Sequence, residues 1–156
     1  MHPNSMKQME LFRDNYLQHM KGCTVLDVGS MDVEGGHSNY REMFFEYEYI
    51  GMDIVPGPNV DLVGWHNVTE VYDVVISGQT MEHVKRPWEW LKNLEKHFKK
   101  YICIIAPWKW KEHRYPFDTY RYLPDGMRDL FEYVGIEEIS IYKSDNDTVG
   151  IGRKKK

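Results

Sequence analysis

Residues 24–30 read TVLDVGS, a run of β-branched and aliphatic side chains with a glycine at position 29. A short apolar run that ends at glycine predicts a buried strand followed by a tight loop. Similar runs recur at YIGMDI (49–54), YDVVIS (72–77) and YICIIAP (101–107). Because these runs alternate with segments of helical spacing, the pattern indicates a mostly parallel α/β sheet covered by helices.

The helices and the remaining strands follow from the spacing of apolar residues and from proline and glycine. Helical spacing covers Ser5–Met20, His37–Phe45, Pro87–Phe98 and Pro124–Val134, the last closed by Gly135. Asn59–Gly64 is predicted as a short strand, and Glu137–Lys143 with Thr148–Arg153 as a closing antiparallel pair. With 156 residues, the chain is expected to form one domain over residues 1–156, with helices on both faces of the sheet.

The charge is unevenly distributed along the chain. Residues 1–78 carry 4 basic and 12 acidic side chains, whereas residues 79–156 carry 16 and 12. The net charge of −4 argues against general binding to nucleic-acid phosphates, and the basic second half permits local attraction of an anionic substrate. No apolar run approaches the roughly 20 residues of a membrane span, and no secretory leader is visible, so we expect a cytoplasmic protein.

The residues directly after the strands carry the candidate chemistry, because open parallel sheets bind ligands beyond the carboxyl ends of their strands. After the first strand comes DVGSMDVEGG (27–36), where glycine lets the backbone approach a ligand closely. Asp53 follows the second strand, and its carboxylate is placed to accept two hydrogen bonds from a ribose diol. SGQTMEHV (77–84) follows the fourth strand.

Four of these motifs together resemble the class I S-adenosylmethionine-dependent methyltransferases: VLDVGS (25–30), YIGMDI (49–54), YDVVISGQTMEHV (72–84) and IIAP (104–107). The resemblance spans roughly residues 24–135 in the family's order. It is greatest to small bacterial and phage-type members, in which HRYPFD…R…LPDGM (113–127) follows the fifth strand. It implies a reduced Rossmann-like methyltransferase sheet, S-adenosyl-L-methionine as cofactor and no metal.

The resemblance also implies a set of cofactor-binding residues. Asp27 and Gly29 would lie against the methionine part of the cofactor, Ser30 and Gly35 in the loop, Asp53 on the ribose hydroxyls, Ile54 on the adenine, and Ser77 and Gln79 near the sulfonium. Trp65 stands where the family often has an acidic residue, and we expect it to stack on the adenine ring. The glycine loop departs from GxGxG, because Met31 and Val33 occupy glycine positions.

The segment His113–Arg121 holds one histidine, two arginines, one aspartate and two tyrosines, more functional groups than a simple connection needs. We interpret it as the acceptor-binding loop. His113 and Asp118 are the predicted catalytic bases, with His83 behind them. The predicted acceptor-binding residues are Arg114, Tyr115, Tyr120 and Arg121. The arginines suit an anionic or polyhydroxylated small molecule, and a sugar or another envelope precursor is the class that similar sequences suggest.

Other functions fit parts of the same pattern. A domain that binds S-adenosylmethionine for regulation without transferring a methyl group is one alternative, and an enzyme that degrades S-adenosylmethionine is another. A nicotinamide dehydrogenase fits less well, because Asp53 suits it but GxGxxG is absent.

Few residues separate the second and fourth strands. Only residues 55–71 lie there, and a single crossover takes about 10–12 residues or more, so at least one of the family's helices has to be missing. Part of the sheet would then stay uncovered, which predicts a two-fold homodimer. The expected contact residues are Val55, Val60, Leu62, Trp65 and Val68.

Overall fold

Seven strands form one sheet in the computed structural model, which describes residues 2–35 and 39–156. The strands are β1 (Thr24–Val28), β2 (Glu48–Asp53), β3 (Leu62–Val63), β4 (Tyr72–Gly78), β5 (Phe98–Pro107), β6 (Ile136–Ser144) and β7 (Asp147–Lys154). Their order is β3-β2-β1-β4-β5-β7-β6. The first five strands are parallel, and β7 runs antiparallel to both β5 and β6. The predicted sheet and its closing antiparallel pair are confirmed.

Helices cover both faces of this sheet. The first, α1 (Pro3–Phe12), continues into a π-helical turn at Arg13–Leu17 and packs on the face that includes Val25 and Ile76. The other two, α2 (Pro87–Lys96) and α3 (Pro124–Val134), pack on the opposite face, which includes Leu26 and Ile104. None of the helices in the described part of the chain is long and apolar enough to cross a membrane.

Three predicted helices differ from the structure. The helix expected at Ser5–Met20 begins at Pro3 and ends, as a π-helical turn, at Leu17. The helix expected at His37–Phe45 is wrong for its second half, where a single 3-10 turn covers Arg41–Phe44; residues 37 and 38 lie outside the described residues. The helix expected at Pro87–Phe98 ends at Lys96, because Phe98 already belongs to β5 and is buried in the core. The helix Pro124–Val134 is confirmed at both ends.

The short connection between β2 and β4 closes part of the sheet by itself. No α-helix lies between these strands, a stretch that the structure describes in full, so a crossover helix is indeed missing. A 3-10 turn at Trp65–Asn67 instead brings Val68 into the core, where it is only 6% exposed. Val68 was therefore wrongly expected to be a dimer contact, whereas Val55 remains 45% exposed. The homodimer itself stays a prediction.

Candidate functional site

The carboxyl ends of β1, β2, β4 and β5 meet at one edge of the sheet, which we call the carboxyl edge. At this edge Gly29 turns the chain out of β1 with a φ of +82°. A Cβ atom at Gly29 would overlap the side chain of Thr80, so the loops after β1 and β4 touch each other here. Only glycine combines this positive φ with such a close approach.

The loop after β1 is held by side-chain hydrogen bonds where the family pattern has further glycines. The carboxylate of Asp32 accepts a hydrogen bond from the backbone N–H of Gly35 at 2.8 Å, and Gly35 has a φ of +72°. The buried hydroxyl of Ser30 donates to the carbonyl oxygen of Asn59 at 2.9 Å. Ser30 and Gly35 therefore both lie in the loop predicted for them. The Ser30 hydrogen bond links that loop to the β2–β3 connection.

Asp53 lies at the end of β2, next to the loop after β1. Its two carboxylate oxygens accept hydrogen bonds from the backbone N–H groups of Met31 at 3.1 Å and Ile54 at 2.7 Å. In the described part of the chain each oxygen retains a further lone pair, and the side chain is only partly buried. Ile54 is 66% exposed and places an apolar surface beside this carboxylate. Both residues lie at the carboxyl edge, and their contact with a cofactor stays a prediction.

Asp27 is a buried residue near the carboxyl end of β1. Only 1% of the residue is exposed, and the hydroxyl of Tyr49 donates a short hydrogen bond to its carboxylate. Burial raises the pKa of Asp27 to about 7; the Tyr49 hydrogen bond and Arg41 oppose this effect, and the nearby charge of Asp53 adds to it. Asn59 donates to the Tyr49 oxygen at 3.1 Å, so Asp27 is the inner end of a connected polar network.

Ser77 lies at the carboxyl end of β4 and Gln79 directly follows the strand, and the two have different surroundings. The Ser77 hydroxyl is buried and donates to the carbonyl oxygen of Val28 at 2.6 Å, which joins β4 to the end of β1. Gln79 has a φ of +55°, and its amide nitrogen donates to Asp147 at 2.9 Å. Its side-chain oxygen is buried and has no hydrogen-bond partner within the described chain. Gln79 thus presents an unsatisfied acceptor at the carboxyl edge.

Trp65 packs on the α2 side of the sheet, and its stacking on the adenine ring stays a prediction. Its ring packs against the core on the α2 side and stacks on His97, with 5.9 Å between the ring centroids. His97 directly precedes β5, so this contact lies toward the edge of the sheet opposite Asp53. The reason is the chain reversal at Gly64, whose φ of +76° sends the following residues back along the sheet.

The predicted acceptor loop is organised around Asp118. Arg121 donates to both carboxylate oxygens of Asp118, at 2.6 and 2.8 Å, and holds the pKa of that carboxyl well below its usual range. Arg121 also donates to the carbonyl oxygens of Trp110 and Lys111 at 3.3 and 3.1 Å. Since these bonds engage its guanidinium within the loop, Arg121 shapes the loop. Asp118 remains ionised and is poorly suited to take a proton.

His113 is held by the same carboxylate. Its backbone N–H donates to Asp118 Oδ2 at 2.7 Å, and its ring Nδ1 lies 3.6 Å from that oxygen and 3.1 Å from the Lys111 carbonyl oxygen. Interaction with Glu82 raises the pKa of His113, and partial burial works in the opposite direction. The His83 ring lies edge-on to it, with centroids 4.8 Å apart. The two predicted histidines are therefore neighbours.

The remaining predicted acceptor-binding residues line the outside of this loop. Tyr115 is 56% exposed, and its ring lies 5.8 Å from that of His83 and 6.2 Å from that of His113. Arg114 pairs with Glu112 at 3.2 Å and is largely exposed. Tyr120 is 40% exposed and points its hydroxyl at the carbonyl oxygen of Lys85. Of the three, Tyr115 is the one next to the histidines.

Several residues at the carboxyl edge were missed in the sequence. Glu82 is fully buried, and its carboxylate lies 3.7 Å from Nε2 of both His83 and His113. Its position directly before His83 was the one available signal. Tyr40 was missed as well; its buried hydroxyl bonds to Ser5 at 2.6 Å and lies where a side chain at position 78 would be. Ser5 and Tyr40 are far apart along the chain, so no local sequence pattern predicts their contact.

The fold matches solved methyltransferase structures. A SAM-dependent methyltransferase from Aquifex aeolicus aligns with a TM-score of 0.66 at 17% identity, over 97% of this chain and 92% of that chain. Magnesium protoporphyrin IX methyltransferase (ChlM) from Synechocystis PCC 6803, solved with bound SAM, gives 0.66 at 13% identity, over 96% and 78%. The N-terminal domain of EvdMO1, solved in the presence of SAH and D-fucose, gives 0.66 at 15% identity, over 99% and 84%.

Comparisons of sequence add no closer relation, since no family model matches the chain and no curated protein matches it significantly. Likeness at such low identity reflects shared architecture. The chain has the fold of the class I S-adenosylmethionine-dependent methyltransferases, as its motifs predicted.

Proposed function

We propose that this protein is an S-adenosylmethionine-dependent methyltransferase that acts on a small polar acceptor. The observation that carries the proposal is the placement of Asp53: its carboxylate ends β2 beside the turn at Gly29, in a sheet of methyltransferase order. Structural neighbours with this architecture were solved with SAM or SAH. The carboxyl edge is also the place where open α/β sheets bind ligands.

The residues at the edge fit the parts of S-adenosylmethionine. Asp53 has lone pairs left for the two ribose hydroxyls, and the exposed side chain of Ile54 offers an apolar surface to the adenine. The unsatisfied oxygen of Gln79 offers an acceptor to a cationic or N–H group of the cofactor. Gly29 lets the loops after β1 and β4 lie against each other, because a side chain there would overlap Thr80. When bound, S-adenosylmethionine supplies a methyl group that its sulfonium already activates.

The protein's own task is then to align the acceptor and exclude water. His83, His113 and Tyr115 form a partly open group of rings at the edge, and they are the proposed contacts for the acceptor. Asp118, fixed by Arg121, orients His113 through its backbone N–H. A hydroxyl-rich acceptor such as a sugar suits these polar groups, and one structural neighbour was solved in the presence of D-fucose.

A methyl-transfer assay tests the proposal. Purified protein is incubated with methyl-labelled S-adenosylmethionine and pools of sugars, sugar nucleotides and other small hydroxyl compounds, and label transfer is measured against a sample without acceptor. We expect transfer to at least one pool. His113→Ala should lower the rate at least about tenfold without weakening cofactor binding. The exposed His19→Ala should behave like the unaltered protein.

Two other outcomes identify the alternatives. Cofactor binding with no transfer to any pool favours a regulatory domain. Loss of S-adenosylmethionine in the sample without acceptor indicates an enzyme that degrades it.

A further inference from the structure

Three side chains of types that commonly bind metals lie close together just beyond β4. They are Glu82, His83 and His113, and each directs one possible ligand atom toward the other two. These three atoms all lie within 4.8 Å of one another. Oε1 of Glu82 is 3.7 Å from Nε2 of His83 and 3.7 Å from Nε2 of His113. These separations are too long for direct hydrogen bonds. The two 3.7 Å separations are close to those around a bound ion, because two ligands about 2.1 Å from a tetrahedral metal lie about 3.4 Å apart, and the two histidine nitrogens, within 4.8 Å of each other, would move closer on binding.

The other ring nitrogen of each histidine faces a backbone carbonyl. Nδ1 of His83 lies 2.5 Å from the carbonyl oxygen of Phe117, and Nδ1 of His113 lies 3.1 Å from that of Lys111. A carbonyl only accepts, so each Nδ1 carries a proton, which leaves Nε2 of each ring as the nitrogen that faces Glu82 and can act as a metal ligand. Histidine metal ligands are commonly held in this way, with the second nitrogen donating to a carbonyl or a carboxylate.

Glu82 supplies an independent observation. The residue is 0% exposed, and neither carboxylate oxygen has a hydrogen-bond partner among residues 2–35 and 39–156. Its backbone is fixed, since the Glu82 carbonyl oxygen accepts from both the N–H and the hydroxyl of Thr119, at 2.7 and 2.8 Å. A buried carboxylate without partners is costly, and a cation between it and the two imidazoles would remove that cost.

We propose that Glu82, His83 and His113 bind one divalent transition metal ion, of which Zn²⁺ is the best match to two imidazoles and one carboxylate. The His83 and His113 side chains are 12% and 20% exposed, so one side of the site remains open to solvent. Three protein ligands with an open position are typical of a metal that binds water or a substrate oxygen. An oxygen of a hydroxyl or carboxylate ligand would fit that position, close to Tyr115.

This site departs from the expectation, drawn from the family resemblance, that the protein holds no metal. It stands independently of the proposed methyl transfer, because metal binding is measured without S-adenosylmethionine. The competing occupant is a single proton shared among the same three groups, which would also relieve the repulsion between their lone pairs. A Zn²⁺ titration slightly above neutral pH separates the two. If the three groups form a metal site, Zn²⁺ displaces the proton and binds; if they only share a proton, Zn²⁺ does not bind.

The test is a Zn²⁺ titration of the tag-free 156-residue chain after dialysis against a chelator, in competition with a chromophoric chelator. We expect one Zn²⁺ per chain and a visible Co²⁺ spectrum of a four- or five-coordinate site. His113→Ala, in a partly exposed loop, should weaken Zn²⁺ binding by about 100-fold or more, and so should the near-isosteric Glu82→Gln. His19→Ala is the matched control, because it removes an exposed histidine from outside the cluster and should leave binding unchanged.

Two results would overturn the assignment. One is an unaltered protein that takes up no Zn²⁺ at micromolar concentration. The other is equal affinity in His113→Ala, Glu82→Gln and the His19→Ala control. Circular dichroism of each variant establishes that it is folded, and His113→Ala keeps the test valid if Glu82→Gln does not fold.

Discussion

The free energy of unfolding should depend on pH through the buried carboxyl group of Asp27 in β1. Replacing Asp27 by asparagine should largely remove this contribution. In the folded protein, burial raises the pKa of Asp27 from 3.8 to about 7. Well below a pH of about 4 the carboxyl group is protonated in both the folded and the unfolded state, so a change of pH there does not alter the free energy of unfolding through this group. As the pH rises from there to 7, the unfolded chain loses the proton and the folded chain keeps it. Stability therefore falls over this interval and is constant above it.

The magnitude follows from the size of the shift. A pKa of about 7 in place of 3.8 corresponds to about 4 kcal/mol over the whole interval, at about 1.4 kcal/mol per pKa unit. Between about pH 5 and about pH 8, a range that avoids general acid denaturation, the loss is about 2.5 kcal/mol. Asparagine cannot ionise, and its oxygen still accepts from Tyr49, so Asp27→Asn should lack this slope.

Urea denaturation of both proteins at several pH values measures this effect. The difference in unfolding free energy between Asp27→Asn and the unaltered protein should shift by about 2.5 kcal/mol in favour of the variant from pH 5 to pH 8. Asp129→Asn, at an exposed position of α3, is the control and should show a constant difference. Parallel stability curves for Asp27→Asn and the unaltered protein would refute the reasoning.

Two further predictions concern glycines at the carboxyl edge. Gly78→Ala would place a methyl group on the buried Tyr40 hydroxyl, and we expect a loss of about 1–3 kcal/mol, seen as a lower Tm; an unchanged Tm would contradict this packing. Gly29→Ala brings its methyl group against Thr80 at an unfavourable φ. It should therefore cost clearly more stability than Gly35→Ala, where φ is a similar +72° and no atom of the described residues beyond its two chain neighbours lies within 4 Å of the added methyl group. Urea denaturation compares the two, and equal losses would show that the contact between the loops is unimportant.

The sheet could be predicted from the sequence because its signals are local. Buried parallel strands appear as uninterrupted apolar runs such as residues 101–107, and α3 is bounded by Pro124 and by Gly135, which has a φ of +81°. The helix predicted at His37–Phe45 was not formed as expected, because only a 3-10 turn follows in the described part of that segment.

The candidate site could be predicted only in part, because strand ends have local sequence signals and contacts between distant loops do not. Asp53 ends its strand as expected, because a strand end fixes its position. The role of Trp65 was taken from the family resemblance, and the sequence did not show that its ring stacks on His97. Glu82 looks like an ordinary surface glutamate in the sequence. Its burial depends on the loop that carries His113, thirty-one positions further along, and no local pattern reports such a contact.

The binding of S-adenosylhomocysteine and S-adenosylmethionine at the carboxyl edge is the central claim, and isothermal titration of the purified protein tests it most directly. We predict one site per chain and a loss of about 1.5–3 kcal/mol in Asp53→Asn, which is about 10- to 150-fold in Kd, because a charged acceptor for the ribose hydroxyls is removed. Asp129→Asn should bind like the unaltered protein. No binding of either compound, or equal affinity in a folded Asp53→Asn variant, would contradict the account.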